Sequence, residues 1–152
     1  MAFWLVKSES NNYSIDDLKR DNFTHWHGVR NYQARNYLKS MKKGDLVFYY
    51  HSVIDPIGIA GIAKVKDEAT ADLTQFDKKS EYFDPKATKE APRWFCPHLE
   101  FVERYAKILD LKTIRALKGL SAMVLLQKGS RLSVQPVSES EFEIVTKAAK
   151  SK

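Results

Sequence analysis

The sequence predicts an α+β fold of five to six strands wrapped into a small, mostly antiparallel barrel, with several short helices. Three observations carry this. Apolar runs of strand length are joined by short polar turns, so that neighbours in sequence form hairpins. The helical patterns between them are brief, and no strand–helix–strand rhythm is visible. The 152 residues are enough for one domain with its own core. With 43% hydrophobic and 29% charged residues, the composition is that of a globular chain rather than a disordered one. The expected organisation is a single domain over 1–152.

Phe3–Lys7 opens the fold as an apolar strand, and with no basic leader before it the segment reads as structure rather than a signal peptide. Ser14 precedes Ile15-Asp16-Asp17-Leu18, an N-cap followed by acids that favour the positive end of a helix. Gln33 to Lys43 carries Ala34, Tyr37, Leu38 and Met41 at helical spacing, and Gly44 ends it. Leu46–His51 is a continuous apolar run, hence a buried strand. Ile57–Val65 is a second such run, and its Gly58 and Gly61 suggest a bulge or close backbone approach.

Asp67 to Pro92 is polar and reads as a long loop with short turns, and Trp94 to Tyr105 as a strand pair with Pro97 at a bulge or edge. Asp110 caps a short helix, Gly119 to Leu126 makes another helical turn, and Arg131–Val137 alternates as a half-buried strand. Ser138-Glu139-Ser140-Glu141 is a capping box into a last helix, with Lys147–Lys152 frayed.

Charge gives the first functional indication. Twenty-five basic residues against nineteen acidic ones give +6, which favours anionic partners. The charge is segregated. Phe23–Gly44 holds no acid but has Arg30, Arg35, Lys39, Lys42 and Lys43 among Phe23, Trp26, Tyr32 and Tyr37. Leu111–Ser138 is also free of acids and contains Arg131. Cations for phosphates interleaved with rings for bases suit a nucleic-acid surface if the fold joins the two stretches. The acids gather between them, from Asp67 to Glu90, where solvation is the default explanation.

No catalytic constellation stands out. Cys96-Pro97-His98 places a thiol two residues from an imidazole, but Pro97 disturbs the strand geometry and no orienting group is marked. His25 and His27 flank Trp26 without a signalled third metal ligand. Phosphate-binding loops and nucleophile elbows are missing. No cofactor is expected. No apolar run approaches the ~20 residues of a membrane span. One cysteine, Cys96, excludes an internal disulfide and points to a reducing, cytoplasmic location.

Trp26-His27-Gly28-Val29-Arg30-Asn31-Tyr32-Gln33-Ala34-Arg35-Asn36 concentrates a flat ring, a glycine, arginines and amides. Amides read base edges and arginines suit phosphates. Read structurally instead, Trp26 is core and Asn31 caps the next helix.

Here the chain resembles EVE-domain proteins of the PUA-like superfamily. The resemblance rests on Trp4–Glu9, Trp26–Asn36, Gly44–Ser52, Gly58–Ala63, Tyr82–Ala87 and Arg131–Val137, in family order. One departure is Ser10, where the family usually has proline. The resemblance implies a PUA-like β-pseudobarrel, kinship with the YTH reader of methylated adenine in RNA, and recognition of modified nucleobases such as methylated cytosine in DNA. On that basis Trp26 is expected to stack on the base, with Trp94 or Tyr50 opposite. Lys7, Ser8, Asn31, Tyr32 and Ser52 are expected at the base, and Arg30, Arg35 and Arg131 at phosphates. The expected partner is RNA or DNA, and the expected function is a non-enzymatic reader. An enzyme acting on nucleotides or modified RNA is the alternative, and a pocket for another anionic ligand the third reading.

Overall fold

The computed structural model describes residues 1–129 and 131–150. Six strands form one sheet: β1 (Phe3–Glu9), β2 (Phe23–His25), β3 (Leu46–Ser52), β4 (Gly58–Ala71), β5 (Phe95–Asp110) and β6 (Val134–Val137). Four helices accompany them: α1 (Ile15–Asp21), α2 (Tyr32–Ser40), α3 (Leu111–Ala116) and α4 (Glu139–Lys150). Short 3-10 turns cover Leu73–Phe76 and Val124–Leu126. The strand order is β2-β5-β4-β3-β1-β6, so β2 and β6 are its edges.

All neighbours pair antiparallel except β1 and β3, which run parallel from Phe3↔Leu46 to Glu9↔Ser52. That pair is the mixed element in an otherwise antiparallel α+β sheet, and α1, β2 and α2 form its crossover. The β4–β5 ladder shifts register four times. Such bulges bend and twist a sheet. Gly58 and Gly61 lie where the backbone of β5 presses closest. A Cβ at either would meet a β5 carbonyl, of Leu109 or Glu103, at 2.2 Å.

The sheet is covered on both faces. Trp4, Val6, Val47 and Tyr49 join Leu18 of α1 and Leu38 of α2 in one core. Leu5, Phe48 and Tyr50 join Ile114 of α3 and Val145 of α4 in the other. Alternate residues of β1 and β3 thus feed opposite cores, which is why Leu46–His51 reads as unbroken hydrophobicity.

Local signals set the helix starts. Ser14 caps α1 in a reciprocal capping box with Asp17. Asn31 caps α2, Asp110 caps α3, and Ser138 and Glu141 exchange bonds at the start of α4. Several expectations change, among them that β6 begins at Val134 rather than Arg131. α2 stops at Ser40, before Lys43. β4 continues to Ala71, taking in part of the expected loop. The expected strand pair at Trp94–Tyr105 is a single sixteen-residue strand, β5. The helix α4 runs through Lys150, so Lys147–Lys150 are helical, while residues 151 and 152 lie outside the described residues.

Candidate functional site

A cleft of about 750 Å³ opens where the carboxyl ends of β1 and β3 lie side by side. Lys7, Ser8 and Glu9 line it from β1, and Ser52 and Val53 from the end of β3. Thr24–Arg30 supplies another wall, and Arg131 and Ser133 a further one. The two basic, acid-free stretches therefore meet at one site. Its size lies within the ~300–1,000 Å³ typical of ligand clefts.

Trp26 is half-buried and held on several sides. Its amide donates to the Pro97 carbonyl at 2.9 Å. Its indole stands perpendicular to the Tyr49 ring, 5.5 Å away. The Tyr49 hydroxyl in turn donates to the Tyr13 carbonyl at 2.6 Å, and the Ser8 hydroxyl donates to the same oxygen at 2.7 Å. The Ser8 oxygen keeps lone pairs for a ligand donor.

Behind this wall lies a polar hub that the sequence did not reveal. Asp72 is fully buried. It accepts from the Gly28 amide at 2.8 Å, from the Arg30 guanidinium at 3.1 Å, and from the amide and hydroxyl of Thr74. Burial alone would raise its pKa. The Thr74 hydroxyl, the Gly28 amide and Arg30 outweigh that and hold it below the ordinary carboxylate value. Arg30 also donates to the carbonyls of Tyr82 and Val29 and to Thr74, and it lies between the rings of Tyr82 and Trp94. Gly28 has φ +88°, and a Cβ there would meet the Tyr82 ring at 2.7 Å. The hub thus fixes the Trp26–Arg30 backbone against Tyr82, a second cleft ring. The N-cap pattern Asp72-Leu73-Thr74 was the available sequence signal for it.

Of the residues expected from the sequence, Lys7, Ser8, Trp26, Ser52, Arg30 and Arg131 line the cleft. The others are placed elsewhere. Asn31 accepts from the Ala34 amide as the α2 cap. Tyr32 stacks on Trp94 outside the cleft, with Arg35 over its ring. Arg35 donates to the Arg93 carbonyl and to Asn36. Trp94 is buried, its indole nitrogen donating to Asp84 at 2.7 Å. Tyr50 is buried in the α3/α4 core, with the Lys7 ammonium 5.7 Å from its ring. These side chains face helix and core partners, so neither Trp94 nor Tyr50 stands opposite Trp26 across the cleft. Arg30, though at the wall, spends its guanidinium on protein acceptors.

The remaining charges have clear causes. Burial lowers the Lys7 pKa, and no carboxylate pairs with its ammonium among the described residues. Glu9, Glu81, His25 and His27 also line the cleft. The rings of His25 and His98 lie 4.0 Å apart, and desolvation, then His98 and His27, lowers the His25 pKa. No group of three potential metal ligands occurs among the described residues. Cys96 is buried, its thiol pushed up to about 12 by desolvation.

Comparisons with known proteins agree with this architecture. Thymocyte nuclear protein 1 of Homo sapiens is 40% identical over 163 residues, covering 95% of this chain and 72% of the relative. The Gallus gallus protein of the same name is 39% identical over 160 residues, covering 93% of this chain. This chain spans 66% of that relative's length, just under two thirds. A crystal structure of the human THYN1 protein in complex with 5-methylcytosine-containing DNA superposes with a TM-score of 0.90. It is 35% identical, covering 100% of this chain and 99% of the other.

The relatives named as nuclear overturn the cytoplasmic expectation. Its basis was one unpaired cysteine, and cytosol and nucleus both keep thiols reduced. Among the described residues no helix is long and apolar enough to cross a membrane. The EVE-domain family model matches residues 2–148, and with relatives of this identity over nearly its whole length, the chain belongs to the EVE-domain family.

Proposed function

We propose that this chain is a nucleic-acid-binding module that takes a modified base into the Trp26 cleft. The observation that carries the reading is the cleft itself, where a held indole, the polar side chains of Lys7, Ser8, Glu9 and Ser52, and both basic stretches converge. A duplex does not fit a space of about 750 Å³, whereas a base turned out of its stack does. Trp26 supplies the stacking face, worth ~1–3 kcal/mol per base, and Tyr82 is a further ring at the wall. The carboxylates of Glu9 and Glu81 match a cytosine, whose exocyclic amine is a donor. That choice accords with the 5-methylcytosine DNA bound by the human relative.

A buried methyl adds about 0.8 kcal/mol, roughly fourfold in affinity. Edge hydrogen bonds from Lys7, Ser8 and Ser52 supply the remaining selectivity in this reading. Arg131 supplies the cation facing phosphate, while Arg30 is a positioning residue. Asn31, Tyr32, Arg35, Trp94 and Tyr50 support the wall from outside.

We read the site as a binder rather than a catalyst, because its lining offers no activated nucleophile and Cys96 is buried outside it. The test is binding of modified and unmodified nucleosides and short DNA and RNA oligonucleotides, at two salt concentrations, by the wild type and Trp26→Ala. Selective binding lost in the variant is expected. Weak, unselective and salt-sensitive binding by both proteins overturns the reading. Turnover of a nucleoside seen by mass spectrometry overturns the non-catalytic part.

A further inference from the structure

We propose that the turn carrying Val53 and Ile54 is a wedge that enters a DNA duplex beside the base drawn into the cleft. The proposal rests on the base-reading function and adds to it the means by which a paired base is reached.

The turn is unusual in three ways. First, its apolar side chains face solvent, with Val53 68% and Ile54 39% exposed. Second, Val53 has φ +70°, and the Ile54 amide donates to the Ser52 carbonyl at 2.8 Å. This is a three-residue turn with a positive φ at its centre, a rare and strained form. A β-branched residue is a poor occupant of that conformation, and glycine would take it without strain. Strain of this kind persists where the surroundings hold it, and it clusters at ligand clamps. Third, the turn sits at the mouth. Val53 lines the cleft with Trp26, Lys7 and Arg131, and the preceding Ser52 is paired with Glu9 at the end of β1.

These features fit one occupant. Turning a base out of a duplex leaves a gap in the stack, and apolar side chains are what proteins insert between base steps. Val53 and Ile54 are apolar and exposed, Val53 lines the space the base would fill with Ile54 next to it in the chain, and cations line the same mouth. Burying them in the stack offsets the unstacking and covers their exposed methyls. A free nucleoside or a single strand has no gap to fill, so the wedge matters for duplexes alone.

The test compares the wild type with the variant Ile54→Ser, outside the cleft lining, on three probes. They are 5-methyl-2′-deoxycytidine, a single-stranded oligonucleotide carrying one 5-methylcytosine, and its duplex. Thermal melts of both proteins establish that the variant is folded. The variant is expected to bind the nucleoside and single strand within about twofold of wild type, and the duplex roughly tenfold more weakly. A 2-aminopurine next to the modified base is expected to brighten with wild type and stay quenched with the variant. Unchanged duplex affinity and fluorescence overturn the wedge and leave the apolar tip to another partner, such as a protein. An equal loss on all three probes also overturns it, making the tip a pocket wall. If the wild type itself binds none of the three probes, the base-reading function fails, and the wedge with it.

Discussion

The indole of Trp26 stands 83° from the plane of the Tyr49 ring, with centroids 5.5 Å apart. Tyr49 is itself fully buried and tied to the Tyr13 carbonyl. The orientation of the cleft's main ring is therefore set from the core, before any ligand arrives. Trp26→Ala should cost the ~1–3 kcal/mol of a lost base stack, about five- to 150-fold in affinity for the preferred nucleoside. Trp26→Phe should retain part of it. Isothermal titration measures both, and an unchanged affinity in the alanine variant places the pocket elsewhere.

The Arg30–Asp72 pair makes a different prediction, because Asp72 has no access to water. Arg30→Met leaves a buried carboxylate short of its cation and should cost about 3 kcal/mol in chemical denaturation. The double change Arg30→Met, Asp72→Asn removes the orphaned charge and should recover part of that loss. A strictly additive double-mutant cycle would show that the two residues are not coupled.

Arg131 is exposed, and no hydrogen bond or ion pair with another residue engages its guanidinium among the described residues. If it meets a phosphate, Arg131→Gln should weaken binding to all duplex sequences about equally. It should also flatten the dependence of log K on log salt by about 0.9. Arg30→Met, studied where it remains folded, should leave the slope alone. The reverse pattern would make Arg30 the phosphate contact.

His51 links pH to stability. Its Nε2 accepts the Ile15 amide at 3.1 Å, so the ring is neutral and carries its proton on Nδ1. Desolvation is the main force lowering its pKa from 6.5. The unfolded chain therefore takes up the proton first as pH falls. This group's contribution is complete above about pH 6.5 and is lost as pH drops through the lowered folded value. The carboxylates with lowered pKa lose their contributions only below about 3.8, so the His51 window opens first as pH falls. His51→Gln should flatten the fall in melting temperature on the acidic side of about pH 6.5. His25→Gln is the control, since His25 is also lowered but exposed. An unaltered pH profile in His51→Gln rules His51 out as its source.

What could be read from the chain was local. Ser14, Asp110 and the Ser138–Glu141 box mark their helices through contacts three residues away, and each is found where its pattern put it. Trp26 stood out because its neighbours in sequence are also its neighbours in the cleft. Long-range partners left no such trace. Arg30 resembled a phosphate ligand because Asp72 and Tyr82 lie 42 and 52 residues further on. Trp94 resembled a stacking wall because nothing in its surroundings shows that Asp84 holds its indole. β4 was cut short at Val65 because Lys66, Asp67 and Glu68 are polar, partly or fully exposed residues of a continuing strand. The parallel β1–β3 pairing is the deepest omission: it joins strands separated by three other elements, and it is what brings Ser8 and Ser52 to one mouth.

Val53 is the position where stability and the proposed function separate most cleanly. Holding a non-glycine residue at positive φ costs ~1–2 kcal/mol, and glycine removes that cost while adding up to about 1 kcal/mol of unfolded-state entropy. Val53 is largely exposed, so little packing is lost on truncation. Val53→Gly should therefore leave the protein equally stable or raise its melting temperature by a few degrees, as ~1 kcal/mol moves a domain of this size ~2–4 °C. The same change removes the side chain that would fill the duplex gap, so duplex binding should fall by more than nucleoside binding. Calorimetry and titration on one sample decide it. A clear drop in melting temperature would mean that the valine side chain supports the fold, and the strained turn would need no functional explanation.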